Sequence, residues 1–160
     1  MAGFNNTLFT QYDDWMTPKS AWEDIKQYIP NDKKIWEAFY GNGTSGQYLT
    51  QLGFDTIHEP IDFFENDRGE IIIDNPPFSK MKDICKRLKE LDKPFILIAF
   101  SKVILMKWFQ QLFKEHLQVI IPFSRPTFTH LTNPKKGYTP PFGVQYYCYK
   151  MNLSKDLIFI

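Results

Sequence analysis

The segment Asp74-Asn75-Pro76-Pro77-Phe78 sets two hydrogen-bonding side chains, two prolines and an aromatic ring side by side, at the end of the apolar run Glu70 to Asp74 (EIIID). Prolines hold the backbone extended and carry no N–H, so neighbouring carbonyls stay free to accept. An exocyclic aromatic amine is a poor nucleophile because its lone pair is delocalised into the ring. Two acceptors about 3 Å from its hydrogens favour the tetrahedral nitrogen. The Asn75 side-chain oxygen and the Pro76 carbonyl could be those acceptors, and Phe78 could stack on the base and fix its orientation. Taken alone, the same residues also read as a rigid strand-to-helix turn.

Two further groups precede this segment. Glu37-Ala38-Phe39-Tyr40-Gly41-Asn42-Gly43-Thr44-Ser45-Gly46 lies where a strand gives way to a helix. Glycines there let the backbone approach a ligand, and the helix N-terminus offers unpaired N–H groups to a carboxylate or phosphate. One strand later comes Glu59, where an acidic side chain could accept both hydroxyls of a ribose. Asp62-Phe63 follows, an acceptor for an adenine amino group beside a ring for stacking or edge contact. Each acid taken singly reads as a solvated loop residue. Their order along the chain is what points to one nucleotide-like ligand.

The elements that must position these groups follow from periodicity. Thr17-Pro18 reads as an N-cap with Pro at the first helical position, and Ala21, Trp22, Ile25 and Ile29 then recur at helical spacing up to Pro30. Lys34 to Phe39 and Phe54 to His58 read as strands, and Gln47 to Leu52 as a brief helix. Met81, Ile84, Cys85, Leu88 and Leu91 mark a helix that covers a sheet. Pro94 to Phe100 is an unbroken apolar run, as expected of a parallel strand buried on both faces. Val103 to Phe113 reads as a helix, with Leu117 to Phe123 and Val144 to Met151 as strands. Leu157 to Ile160 is a last short strand or a packed tail. This alternation predicts an open α/β sheet, mostly parallel.

With 160 residues, 43% hydrophobic and 17% aromatic, the chain can bury one good-sized core. The expectation is a single domain over 1–160, soluble and intracellular, with no span long enough to cross a membrane and no signal-like start. Cys85 and Cys148 make neither a zinc site nor a disulfide framework and are expected as buried free thiols. His58, His116 and His130 have no metal-ligand spacing, so no metal is assigned. Net charge is only +1, so any contact with nucleic acid must come from a local patch. Ser124 to Tyr138 holds Arg125, His130, Lys135 and Lys136 with no acid, and Ser124 to Gly143 is the only long irregular stretch.

Together these motifs resemble the S-adenosylmethionine (SAM)-dependent N6-adenine DNA methyltransferases of the compact phage and viral type. The likeness runs from Trp15-Met16-Thr17-Pro18 through EAFYGNG, Glu59, the Asp62-Phe63-Phe64 motif and DNPPF to Arg125-Pro126-Thr127-Phe128 and Pro140-Pro141-Phe142-Gly143. NPPF is its specific part. The resemblance implies a class I, Rossmann-like sheet with an antiparallel C-terminal strand, and SAM as cofactor. It implies Asn75, Pro76, Pro77 and Phe78 as the catalytic loop. Trp15, Thr17, Pro18, Glu37, Phe39, Gly41, Gly43, Glu59, Asp62, Phe63 and Asp74 would face the cofactor. Arg125, Phe128, Lys135 and Lys136 would face the substrate.

Two departures from the family pattern carry consequences. Only two residues separate Glu59 from Asp62, so the region between the second strand and the NPPF strand must be reduced. No separate target-recognition domain fits in 160 residues, so sequence recognition would be low or would come from a dimer or a partner subunit. DNA is favoured over RNA as the substrate. NPPF loops also resemble those that methylate guanine N2 in RNA or a glutamine amide in protein. A catalytically silent partner subunit is the reading from a different class.

Overall fold

The computed structural model describes residues 15–130 and 143–160 of the chain. They form a seven-stranded sheet and a two-stranded ribbon. In chain order the strands are β1 (Trp15–Met16), β2 (Ile35–Trp36), β3 (Thr56–Ile57), β4 (Ile71–Asp74), β5 (Phe95–Phe100), β6 (Leu117–Ile121), β7 (Thr129–His130), β8 (Val144–Tyr149) and β9 (Leu157–Phe159). The large sheet has the order β3-β2-β4-β5-β8-β6-β9. β8 runs antiparallel to both of its neighbours, and the other pairings are parallel. The expected α/β class, the mostly parallel sheet and an antiparallel strand near the C-terminus are therefore present.

Among the described residues four α-helices cover the sheet: α1 (Lys19–Glu23), α2 (Thr44–Gln51), α3 (Met81–Leu91) and α4 (Lys107–Phe113). Period-two alternation assigns each strand residue to a layer. Ile71, Ile73, Ile96, Ile98, Tyr146 and Cys148 pack toward Trp22 of α1 and Leu49 of α2. Their neighbours Ile72, Phe95, Leu97, Tyr147 and Tyr149 pack toward α3 and α4, against Ile84, Leu88, Phe109 and Phe113. This is why Pro94 to Phe100 needs no polar side: both faces of β5 are buried. Cys85 and Cys148 are buried free thiols, as expected, and burial pushes the Cys148 thiol up to about 12. Among the described residues no helix is long and apolar enough to cross a membrane.

Several boundaries differ from the sequence expectation. Thr17 is not the cap of α1. Pro18 holds the N-cap position in extended conformation with no side-chain cap, and α1 ends after one short stretch, followed by a 3-10 turn at Lys26–Tyr28. Ala21, Trp22, Ile25 and Ile29 are nonetheless buried together. The helix expected over Val103 to Phe113 is two pieces, a 3-10 turn at Ser101–Leu105 and then α4, separated by the extended Met106. β2 stops at Trp36 although the apolar pattern continues, because the amides of Ala38 and Phe39 are taken by the Asp74 carboxylate instead of a strand. Between β3 and β4 there is no helix or strand, the reduced region that the short Glu59–Asp62 spacing requires. The pairing of β1 with β7 was not legible in the sequence.

Candidate active site at the carboxyl edge of the sheet

The chain leaves β2 for β3 on one side and returns to β4 on the other, so the sheet order reverses between β2 and β4. In open α/β sheets, ligands bind outside the carboxyl ends of the strands at such a reversal. Glu37 follows β2, Glu59 follows β3, and Asp74 ends β4 with Asn75 behind it. The sheet thus brings three of the sequence-predicted acids and the NPPF loop to one edge.

Asp74 ties this edge together. One of its oxygens accepts from the amides of Ala38 and Phe39 at 2.6 and 2.8 Å, and the other accepts from the Asn75 amide at 2.8 Å. The carboxylate therefore welds the start of the glycine turn to the start of the NPPF loop. The Asn75 side chain is fixed in turn: its Nδ2 donates to Thr17 Oγ1 at 2.9 Å. That leaves Asn75 Oδ1 buried with no hydrogen-bond partner among the described residues. A buried acceptor without a donor costs free energy unless something else supplies one. Pro76 and Pro77 are buried, and Pro77 starts a 3-10 turn over Phe78–Lys80 that leads into α3. The half-buried Phe78 ring meets Phe100 edge-on at 5.5 Å.

Glu37 is fully buried. Burial raises its carboxyl well above the usual range, and the neighbouring Asp74 charge raises it further. Burial also pushes Asp74 up to about 6, against the lowering effect of Glu37 and of the amides of Phe39, Asn75 and Ala38. Both Glu37 oxygens are buried without a hydrogen-bond partner among the described residues.

The glycine turn is built as its spacing suggests. Gly41 and Gly43 have φ of 59° and 84°, a region that side-chain-bearing residues rarely enter. Gly43 caps α2, and Asn42 Oδ1 accepts from the Thr44 amide at 3.1 Å. Gly46, in the first turn of α2, lies so close to His58 that a methyl group in its place would sit 2.3 Å from His58 Cβ. This third glycine lets the helix pack onto the end of β3.

Other candidates are placed differently. Phe63 is not open to a ligand: it is 0% exposed and packs against Phe39 at 4.9 Å and Trp36 at 5.5 Å. The next ring, Phe64, is the exposed one. Phe39 likewise contributes its backbone amide to the site, while its ring is in the core. Phe128 is 5% exposed and belongs to the core under α1, so it supports the segment and does not present itself to a substrate. An apolar ring beside polar residues reads the same in a sequence whether it faces a ligand or the interior. Asp62 caps its own turn, accepting from the Phe64 amide at 2.8 Å. Glu59 and Arg125 are exposed. Lys135 and Lys136 lie outside the described residues. The sequence reading missed Met16 and Asn42, which meet through Asn42 Nδ2 and Met16 Sδ at 3.3 Å, and the stacked rings of Tyr40 and His58. The asparagine between two positive-φ glycines was the available signal.

Neither protein-family models nor curated protein sequences give a match to this chain.

Proposed function

We propose that this chain transfers a methyl group from SAM to an exocyclic amine, with N6 of adenine in DNA as the acceptor. The observation that carries this reading is the buried, partnerless Asn75 Oδ1, fixed by Thr17 at the reversal point of the sheet. An acceptor held there without a donor suits an amine that becomes tetrahedral as it reacts. The sheet order, with its one antiparallel strand, is compatible with the Rossmann-like class I methyltransferase fold that the motifs suggest.

SAM, when bound, supplies an electrophilic methyl group on a sulfonium, with an ammonium group and a ribose beside it. The residues present fit such a group. The partnerless Glu37 oxygens and the Asp74 carboxylate can face the ammonium. Glu59, whose carboxylate makes no hydrogen bond among the described residues, suits the ribose hydroxyls, and the free oxygen of Asp62 suits an adenine amino group. Asn75 Oδ1 and the Pro76 carbonyl accept from the target amine, and Phe78 stacks on its ring. As the N–C bond forms, the S–CH3 bond breaks to leave a neutral thioether, the target nitrogen releases one proton to water, and the acceptors on its hydrogens favour the pyramidal geometry that N–C bond formation requires. A base in a duplex would have to leave the stack, at a cost of a few kcal/mol.

Calorimetric titration with SAM, followed by transfer of labelled methyl to DNA, RNA and protein substrates, tests the reading. Binding with methylated adenine in DNA supports it. Label in RNA or on a protein amide moves the acceptor, and failure to bind SAM leaves a silent partner subunit as the remaining role.

A further inference from the structure

The charges of the described residues are sorted by the two edges of the sheet. At the amino edge, several cations sit in ion pairs: Lys33 with Glu70, Lys34 with Asp55, Lys93 with Asp67 and Lys150 with Asp92. Those residues precede β2, β3, β4 and β5 or follow β8 and α3. The carboxyl edge is different. Its half over β2 and β3 is acidic, with Glu37, Glu59, Asp62 and Glu65. Its half over β4, β5 and β6 has no acid in the segments 75–82, 101–114 or 122–130. Lys80, Lys102 and Lys107 stand there, on the turns that leave β4 and β5 and at the start of α4. All three are exposed, and none has an ion-pair or hydrogen-bond partner for its ammonium among the described residues. A net charge of +1 conceals this separation.

Exposed apolar side chains interleave with these lysines. Phe123, just beyond β6, is 95% exposed, and Leu105, between Lys102 and Lys107, is 76% exposed. The segment that carries Phe123 runs on to β7, whose partner β1 leads directly into Thr17 and so to Asn75. Lone cations beside exposed rings are the means by which proteins hold an unpaired nucleic-acid strand, with cations on the phosphates and rings under the bases. Charge complementarity divides the edge accordingly. A ligand bearing an ammonium and a sulfonium suits the acidic half, and a polyanion suits the basic one, with Asn75 at the boundary.

The geometry points to a single nucleic-acid strand crossing the edge over β4 to β6, its phosphates on Lys80, Lys102 and Lys107 and a base stacked on Phe123. This rests on the reading of the chain as a nucleic-acid methyltransferase and names the path of its substrate.

The test is fluorescence anisotropy with a single-stranded oligodeoxyadenylate of about 12 nucleotides, between about 50 and 200 mM salt. Replacing the three lysines together (Lys80→Gln, Lys102→Gln, Lys107→Gln) should lower the log–log salt slope by about 2 units, at roughly 0.7 per lost contact on a single strand. A control with the same change in charge (Lys33→Gln, Lys34→Gln, Lys155→Gln) should keep the wild-type slope. Phe123→Ala should weaken binding on the order of five- to a hundredfold, and Phe123→Trp should restore it. Equal slopes in the two triple variants, unchanged binding in Phe123→Ala, or a duplex bound as tightly as the single strand would overturn the proposal. SAM titrations on the same proteins separate the two readings. Methyl transfer that is indifferent to these lysines sinks the path alone. Strand binding that depends on them in a protein that never binds SAM sinks the methyltransferase reading alone.

Discussion

Asn75 reaches back 58 residues along the chain to donate its Nδ2 to Thr17 Oγ1 at 2.9 Å. The bond fixes the amide: with Nδ2 engaged, Oδ1 is left buried as an acceptor with no donor among the described residues. Thr17 is held in turn by the ribbon, because β1 ends at Met16 and pairs with β7. A motif near the start of the chain thus orients the proposed catalytic loop.

Removing the acceptor and removing its support should therefore differ. Asn75→Ala should lower single-turnover methyl transfer by about 10²–10³ with SAM affinity unchanged, the loss expected for one transition-state hydrogen bond. Thr17→Val leaves the acceptor in place but unfixed, so the rate should fall less, and Thr17→Ser should recover it. Wild-type transfer by Asn75→Ala would make the loop structural. A Thr17→Val variant as fast as the wild type would mean that the Thr17 hydroxyl does not position the Asn75 amide.

The contact of Gly46 with His58 makes a prediction about folding alone. A methyl group at residue 46 would lie 2.3 Å from His58 Cβ and 2.4 Å from its Cγ, so Gly46→Ala must push α2 away from the end of β3. Overpacking of this kind typically costs about 1–3 kcal/mol, to be measured by urea denaturation. Adding His58→Ala should not rescue the protein, because the clashing Cβ remains. Adding His58→Gly should recover much of the loss. Rescue by alanine would mean that the ring, not the close backbone approach, is the obstacle.

Much of this arrangement was legible because it is periodic. The alternation of Ile71, Ile72 and Ile73, the unbroken run of β5 and the helical spacing of Met81 to Leu91 each follow from which faces are buried, and strand order then carries Glu37, Glu59 and Asp74 to one edge. What was not legible depends on single long-range contacts. β2 is short because the Asp74 carboxylate captures the Ala38 and Phe39 amides, which no local pattern reveals. β1 and β7 have two residues each, too few to show a period. Met106 breaks the α4 region without the Pro or Gly that usually marks such a break. Phe63 and Phe128 looked like ligand contacts because residues near a motif carry no sign of which way they point.

Glu59 follows β3 with its side chain exposed and without a hydrogen bond among the described residues, so removing it should leave the fold intact. Glu59→Ala should weaken SAM binding by about 1.5–3 kcal/mol, the contribution of hydrogen bonds to a charged group, while the urea midpoint stays within error of the wild type. Unchanged affinity in calorimetry would take Glu59 out of the cofactor site.

The Glu37–Asp74 pair predicts an unusual pH dependence of stability. Both carboxyls are raised in the folded protein, Glu37 by burial and its neighbour's charge, and Asp74 by burial to about 6 from 3.8. A raised pKa means that the fold favours the protonated form, so the contribution of the pair is fully present below the unfolded pKa values near 4. It declines as pH rises through about 6, where Asp74 must ionise in a buried site, and the raised Glu37 carboxyl contributes in the same sense. Exposed carboxylates in ion pairs behave in the opposite sense, so the measurement is a difference between variants. Glu37→Gln keeps the shape of the side chain, removes one buried acid and leaves Asp74 without a like charge to face. Relative to wild type it should be near neutral at pH 4 and become progressively more stabilising toward pH 7, in urea denaturation at several pH values. The same substitution should weaken SAM binding at pH 7, because a carboxyl proposed to face the ammonium is gone. A difference between the two proteins that stays flat from pH 4 to 7 would show that Glu37 titrates normally and that the pair is not coupled.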